Sequence, residues 1–259
     1  TGVQTCALPI FQSLYGIVNG TCNYILTRMK LEGAEFADVL ADAQRLGYAE
    51  AAPGLDVDGH DAAHKTGILA SLAHGFWVHP REIHTEGIRS ISKLDIQFAS
   101  QLGYTIKLLG VVKAASASEA DAGPGVVQVS VYPALVPNQH VLASVNQIYN
   151  AVFVRGDLVG DTLLYGRGAG QDATASSVLS DVADAALDLK HGSRRRVPPF
   201  VAHAAGTRVV PLDSVSSRYY VRLSVIDRPG VLARIASVFA AGQIGISSVF
   251  QPEGHEGQS

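Results

Sequence analysis

At Gly103 the spacing of apolar residues changes from helical to alternating, and this switch constrains the fold more than any other feature of the chain. Upstream, Thr21 is placed to cap a short helix through Tyr24, Ile25 and Met29. Phe36, Val39, Leu40, Ala43 and Leu46 then recur at helical spacing up to Gly47, a residue suited to the position just past a helix end. After a Pro-, Gly- and Asp-rich loop, Ala62, Ala63, Ile68, Leu69, Leu72 and Ala73 predict a mostly buried helix ending near Gly75. Ser92 with Asp95 three residues on has the form of a capping box and starts a helix that ends at Gly103. Downstream, residues 104–113, 126–135, 151–155 and 158–165 are β-branched or apolar, partly alternating, and separated by turn residues. Gly156 and Asp157 suit a two-residue hairpin turn. A glycine-rich loop, Gly166 to Gly170, leads to a helix with Val178, Leu179, Val182, Ala183, Ala186 and Leu187 expected to face inward. A run of helices followed by a run of strands predicts an α+β domain in which helices cover a mixed sheet.

A chain of 259 residues, 47% apolar and 17% charged, can bury a sizeable core. No stretch approaches the roughly 18 consecutive apolar residues that a membrane span requires, so no membrane partner is expected. A net charge of −3 argues against a nucleic-acid partner, and Arg194 to Arg196 is short and isolated enough for a solvated linker. Cys6 and Cys22 have no CxxC spacing and are too few for a disulfide framework or a zinc cage, which favours a reducing, cytoplasmic setting. The opening TGVQTCALPI has neither an initiator Met nor the basic and apolar regions of a secretory signal, and the closing EGHEGQS follows a strand pattern that nothing covers. Both ends are therefore expected to be cut from a longer protein. Composition turns polar and proline-bearing over 191–218, as in an interdomain connection. From Tyr219 the pattern predicts a strand to Ile226, a turn over Asp227 to Gly230, a helix over Val231 to Ala241 and a strand over Ile244 to Gln251. That is about half of a small βαβ module.

The densest polar cluster is Glu50, then Leu55-Asp56-Val57-Asp58-Gly59-His60-Asp61, then Lys65. Asp61 and Lys65 are four apart and share a helix face, which a simple surface ion pair would also explain. The apolar residues on either side of Lys65 predict that its helix is largely buried, and a partly buried lysine can move protons. His60 and His64 with Asp56, Asp58 and Asp61 are candidate metal ligands, but their spacing fits neither HExxH nor the calcium loop, and no metal is expected. The G-x-G-x-G loop at 166–170 gathers backbone N–H groups at a helix start, a geometry suited to an anion and equally to a tight strand-to-helix turn. Asn19-Gly20-Thr21 has the composition of a turn and cap.

Four segments resemble homoserine dehydrogenase: Gly16 to Leu26 (GIVNGTCNYIL), Ala43 to Glu50 (AQRLGYAE), Asp56 to Lys65 (DVDGHDAAHK), and Gly168-Ala169-Gly170 with Thr174-Ala175-Ser176. They occur in the family's order over about residues 14–210, and Tyr219 to Leu232 is similar to the opening of an ACT domain. The resemblance implies a catalytic and dimerisation domain over 14–210, with 1–13 outside it, a linker at 211–218 and a truncated, ferredoxin-like ACT module at 219–259. It implies an enzyme that interconverts L-homoserine and L-aspartate 4-semialdehyde with NADP or NAD, in threonine, methionine and isoleucine biosynthesis. The partners it implies are this small-molecule substrate, a second copy in a homodimer, and an amino-acid effector at the ACT-like module.

Carried over residue by residue, the resemblance makes Lys65 the group that exchanges a proton with the substrate oxygen. Glu50 and Asp61 hold the substrate, with Asp56 and Asp58 beside them, and Gly47, Gly168, Ala169 and Gly170 touch the nicotinamide cofactor. Homoserine and the semialdehyde both carry an α-ammonium, which paired carboxylates bind by charge-assisted hydrogen bonds. The chain departs from the family at Ala52, usually Asp, and at Ala173, usually Pro. It also lacks a nucleotide-binding domain ahead of residue 14, so the isolated chain is expected to be inactive. Two other classes stay open: a metal-dependent hydrolase built on Asp56, Asp58, Asp61 and His64, and a non-enzymatic amino-acid-binding regulator built on the tail.

Overall fold

The structure, a computed structural model, describes residues 11–114, 126–192, 207–226 and 228–252. Expectations placed on TGVQTCALPI with its Cys6, on Arg194 to Arg196, on Asp227 and on EGHEGQS lie outside the described residues. The elements run β1 (Phe11–Ile17), α1 (Gly20–Glu32), α2 (Phe36–Arg45), α3 (Gly54–Val57), α4 (His60–His74), β2 (His84–Thr85), α5 (Lys93–Gln101), β3 (Tyr104–Ala114) and β4 (Val126–Pro137). They continue as β5 (Tyr149–Gly156), β6 (Gly160–Arg167), α6 (Gln171–His191), β7 (Arg208–Val209) and α7 (Val231–Ala241).

The strands form one mixed sheet in the order β2-β4-β3-β1-β5-β6, with β7 also on β4. β2 and β7 run parallel to β4, and the remaining pairs are antiparallel. β1, which the sequence analysis leaves without a strand assignment, lies between β3 and β5. Its inner residues face two covered layers, so Leu14 and Ile17 are both buried and the alternation that marks a half-exposed strand is blurred. α1, α4 and α5 cover one face over Leu14, Ile106, Leu108, Val112 and Val129. A 3-10 turn at Val141–Ser144 covers part of the other, over Leu109, Val111 and Val136. Helices on a mixed sheet are the α+β architecture that the switch of spacing predicts. No helix among the described residues is long and apolar enough to cross a membrane.

One glycine sets how closely the helix layer approaches. A Cβ on Gly110, in the middle of β3, would fall 2.1 Å from Thr66 Oγ1 on α4. Thr66 turns its hydroxyl back to Ala62 O at 2.7 Å, so no polar group is stranded at this contact. The buried side of α4 is otherwise built of small residues, Ala62, Ala63, Gly67, Ala70 and Ser71.

Several local expectations are revised. α1 is capped by Asn19, not Thr21: Asn19 Oδ1 accepts from Cys22 N at 2.8 Å and satisfies a first-turn N–H. The β5–β6 loop has three residues, 157–159, because Gly156 pairs with Gly160 and Gly160 takes a left-handed φ of 72°. The Arg155–Asp161 ion pair at 2.6 Å closes that hairpin. α6 forms where expected, but Val178, Leu179, Val182 and Leu187 are exposed, not inward. A stripe at helical spacing defines a face, and it does not say what lies against that face. In the tail α7 matches the expected helix, whereas the stretches around it form no strands, since neither pairs with another described segment.

That tail nevertheless touches α5. Ser92 and Asp95 make the reciprocal capping box, and Asp95 Oδ1 also accepts from Arg222 Nε at 2.7 Å and from Tyr220 Oη at 3.1 Å. Phe98 packs against Phe250 with ring centroids 5.5 Å apart. Burial raises the Asp95 carboxyl, but the hydrogen bonds from Ser92, Arg222 and Tyr220 outweigh it and hold the group below its ordinary value. The carboxylate therefore stabilises the fold above the unfolded value of 3.8, and that contribution is lost as pH falls through the lower folded value. Replacing Asp95 with Ala is expected to cost about 1–3 kcal/mol in urea unfolding at pH 7. Arg222→Ala, which leaves the capping box intact, should cost less than half as much.

Candidate functional site

The candidate site is built around the N-terminus of α1. The chain leaves β1 through Val18 and Asn19, and the Asn19 amide donates to Asp56 Oδ1 at 2.8 Å and to Asp61 Oδ2 at 2.9 Å. Asp56 lies on α3 and Asp61 in the first turn of α4, separated by Gly59, whose left-handed φ of 87° turns the chain between the two helices. One helical turn beyond Asp61, Lys65 places its Nζ 2.8 Å from Asp61 Oδ2 and 3.2 Å from the Val18 carbonyl. Asp61 and Lys65 therefore share a face as their four-residue spacing suggests, and Asn19 brings Asp56 to the same place.

The expected burial of Lys65 is corrected, because its side chain is 45% exposed. α4 meets the sheet through small residues, so its larger side chains, Ile68 and Leu72, turn outward together with Lys65.

The other predicted residues divide into those near the start of α1 and those elsewhere. Thr21 Oγ1 donates to Tyr48 O at 2.7 Å, which brings the loop after α2 to the same helix end. Gly47 follows the C-cap Leu46 in that loop with φ 76°, as its composition suggests. Glu50 is held there by its own carbonyl, which accepts from Gln44 Nε2 at 3.0 Å. Its side chain is exposed, and the ion pair of Lys65 is with Asp61, not Glu50.

Gly168 lies against Asn150, where a Cβ would fall 1.9 Å from Asn150 Nδ2, and a Cβ on Gly20 would lie 3.6 Å from Asn150 Oδ1. A single asparagine thus separates the glycine loop from the first residue of α1. Ala169 and Gly170 complete that loop, and Gly170, at φ 114°, precedes α6 without any side-chain cap.

Asp58 turns away, and both its carboxylate oxygens accept from Arg89, which holds the carboxyl below the usual range. His60 and His64 are exposed. Among the described residues no group of three or more His, Cys, Asp or Glu side chains converges as a metal site would require. Asp56 and Asp61 are joined by Asn19 and Asp58 is taken by Arg89, so the acidic run is not one ligand set.

Sequence reasoning missed two residues. The composition around Asn19 points only to a turn and cap, and nothing in its spacing shows that its amide meets residues 37 and 42 positions away. Lys107 lies in β3, 1% exposed, and donates to Asn23 Oδ1 at 2.9 Å, to Asn146 Oδ1 at 3.2 Å and to the Val145 carbonyl. The signal was available, since a lysine inside Tyr104-Thr-Ile-Lys-Leu-Leu, on a strand covered on both faces, must find partners. Asn23 Nδ2 also donates to Val145 O at 3.1 Å and Tyr149 O at 3.0 Å, and Thr27 Oγ1 accepts from Gln147 N at 3.1 Å. Lys107, Asn23 and Thr27 together fasten the loop that leads into Asn150.

Burial, with a smaller effect from Lys30, pushes Lys107 down to about 8 from an ordinary 10.5. Between those values the unfolded chain holds a proton that the folded one has released, so stability rises with pH across that window. The stability of the wild type relative to Lys107→Met, from urea unfolding at pH 7.5, 9 and 10.5, is expected to rise across that window; the comparison cancels the opposite slope that the raised Cys22 thiol contributes in both proteins above pH 9.

Comparison with known proteins identifies the family. The sequence profile of the homoserine dehydrogenase family matches residues 4–183. A homoserine dehydrogenase of Pseudomonas aeruginosa is 43% identical over 246 residues, which cover 94% of this chain and 55% of that protein. The crystal structure of a homoserine dehydrogenase from Thiobacillus denitrificans superimposes with a TM-score of 0.82 at 37% identity, covering 96% of this chain and 56% of that one. A hyperthermophilic archaeal homoserine dehydrogenase in complex with NADPH gives a TM-score of 0.56 at 28% identity, over 70% of this chain and 49% of that one. The chain spans about half the length of these relatives.

Proposed function

The chain belongs to the homoserine dehydrogenase family, and from that premise we propose that it supplies the substrate-binding and proton-transfer half of an NAD(P)-dependent enzyme interconverting L-homoserine and L-aspartate 4-semialdehyde. The observation that carries this reading is an ammonium, Lys65, held between the Asp61 carboxylate and the Val18 carbonyl beside the start of α1. In the reducing direction Lys65 donates a proton to the aldehyde oxygen as negative charge develops there, and in the oxidising direction it receives the hydroxyl proton. Asp61 orients the ammonium. Glu50 and Asp56 offer carboxylates to the substrate α-ammonium, while Asp58 is committed to Arg89 and shapes the loop.

The residues near α6 fit one side of a nicotinamide cofactor. The N-terminus of α6 has no side-chain cap, and Asn150 Oδ1, buried between Gly20 and Gly168, has no hydrogen-bond partner among the described residues. Gly47, Gly168, Ala169 and Gly170 would hold the cofactor, and the nicotinamide, when bound, supplies or accepts the hydride. NADPH in one relative supports a nicotinamide dinucleotide as the cofactor. In the proposed full-length enzyme, a nucleotide-binding part covers the face where Lys65, Ile68 and Leu72 are exposed and excludes water from the reacting oxygen. A homodimer formed through the sheet is supported by the exposed Leu164 and Tyr165 on the edge strand β6. An amino-acid effector at the tail, and a place in threonine, methionine and isoleucine biosynthesis in the cytoplasm, complete the proposal.

In a full-length enzyme carrying this chain, Lys65→Ala is expected to lower kcat for homoserine oxidation by about 10²- to 10⁴-fold with far-UV circular dichroism unchanged. Glu50→Ala should act mainly on the KM for homoserine. Wild-type turnover in Lys65→Ala would overturn the assignment.

A further inference from the structure

We propose that Asn19 is a positioning residue, whose amide bridges Asp56 and Asp61 and so fixes the direction in which Lys65 presents its reactive N–H; this rests on the reading of Lys65 as the proton-transfer group.

The argument starts from the amide's orientation. Asn19 Oδ1 is committed to Cys22 N at 2.8 Å, so both N–H bonds of Nδ2 must point the other way, and they meet Asp56 Oδ1 at 2.8 Å and Asp61 Oδ2 at 2.9 Å. Asn19 is 5% exposed, and α1 itself holds it in place. The oxygen that receives Asn19 is the same one that receives Lys65, so the amide sets the rotation of the Asp61 carboxylate. A lysine ammonium has three N–H donors. Asp61 Oδ2 and Val18 O take two of them, and tetrahedral geometry then determines where the third points. Val18 precedes Asn19 in the chain, so one turn of backbone fixes both acceptors.

The amide also suits the electrostatics. Two carboxylates brought to one point repel, and a neutral double donor between them relieves that repulsion without competing with the lysine for Asp61 as a cation would. Aspartate at position 19 would cap α1 as well as asparagine does, since both side-chain oxygens accept from a first-turn N–H. It would donate nothing to Asp56 or Asp61. Capping and positioning can therefore be separated by one isosteric change.

The experiment compares Asn19→Asp, Asn19→Ser, Lys65→Ala and Asn19→Asp/Lys65→Ala in a full-length enzyme carrying this chain, with kcat and KM for homoserine and the thermal midpoint as readouts. Asn19→Asp is expected to lower kcat about 10- to 100-fold, with a smaller change in KM, because a slightly misdirected proton donor loses rate and not binding. Asn19→Ser, which keeps a capping oxygen in a smaller side chain, should show the same split and serves if the aspartate variant folds poorly. The double variant should turn over no more slowly than Lys65→Ala alone, because Asn19 acts through Lys65. Wild-type kcat in both Asn19 variants, or additive losses in the double variant, would overturn the positioning role while leaving Lys65 in place. Wild-type turnover in Lys65→Ala would instead overturn the reading on which the proposal rests, and the proposal with it.

Discussion

Contact between Gly110 and Thr66 lets α4 lie nearly against the backbone of β3, and the placement of the charged residues follows from that closeness. A helix that packs through Ala62, Ala63, Thr66, Gly67 and Ala70 buries little apolar area per residue, but it brings its own backbone close to the sheet. Its first turn is then level with the end of β1, where the chain turns into α1. Asp61 and Lys65 lie at the boundary between the packed and open sides of α4, the one position from which both can reach Val18 and Asn19. A larger residue at Gly110 would move the whole row at once.

Around the start of α1, three consecutive residues each meet a different segment. Asn19 reaches the carboxylates of α3 and α4, Gly20 leaves room beside Asn150, and Thr21 ties down the loop after α2. The positive end of the α1 dipole favours the carboxylates gathered there. Cys22, one residue further in, feels the opposite influence: burial first, then Asp56, Asp61 and Asp58, push its thiol up, so it stays protonated and donates to Asp56 O at 3.2 Å. Burial, together with the site's negative charge, thus keeps this cysteine a structural donor and unreactive as a nucleophile.

Much of this was legible in the sequence. The ends of α2, α4, α5 and α7 follow from capping residues and glycines, and β3 through β6 fall within two or three residues of their expected bounds. These features are local, written in the residues that make them. What failed depends on neighbours distant in sequence. β1 is hidden because two covered faces erase alternation, and α6, whose stripe suggests an inward face, has no buried residue because a stripe does not name its partner. The resemblance pointed to the acidic run as a set, but Asp58 is diverted by Arg89, 31 positions on, which no spacing rule connects to it. Lys107 was readable in principle, and its partners Asn23 and Asn146 were not.

Stability alone does not explain the cluster at Asn19. An exposed i,i+4 ion pair such as Asp61–Lys65 contributes about 0–1 kcal/mol, and drawing a second carboxylate, Asp56, to the same amide works against folding. Capping α1 requires only one side-chain oxygen at position 19, which serine or aspartate also provides. The amide's two additional hydrogen bonds are therefore in excess of what the helix needs, and both end on carboxylates beside a lysine that makes two hydrogen bonds among the described residues. Such an arrangement keeps a charged group directed while adding little to the free energy of the fold. That is what a proton donor to a small, polar substrate requires.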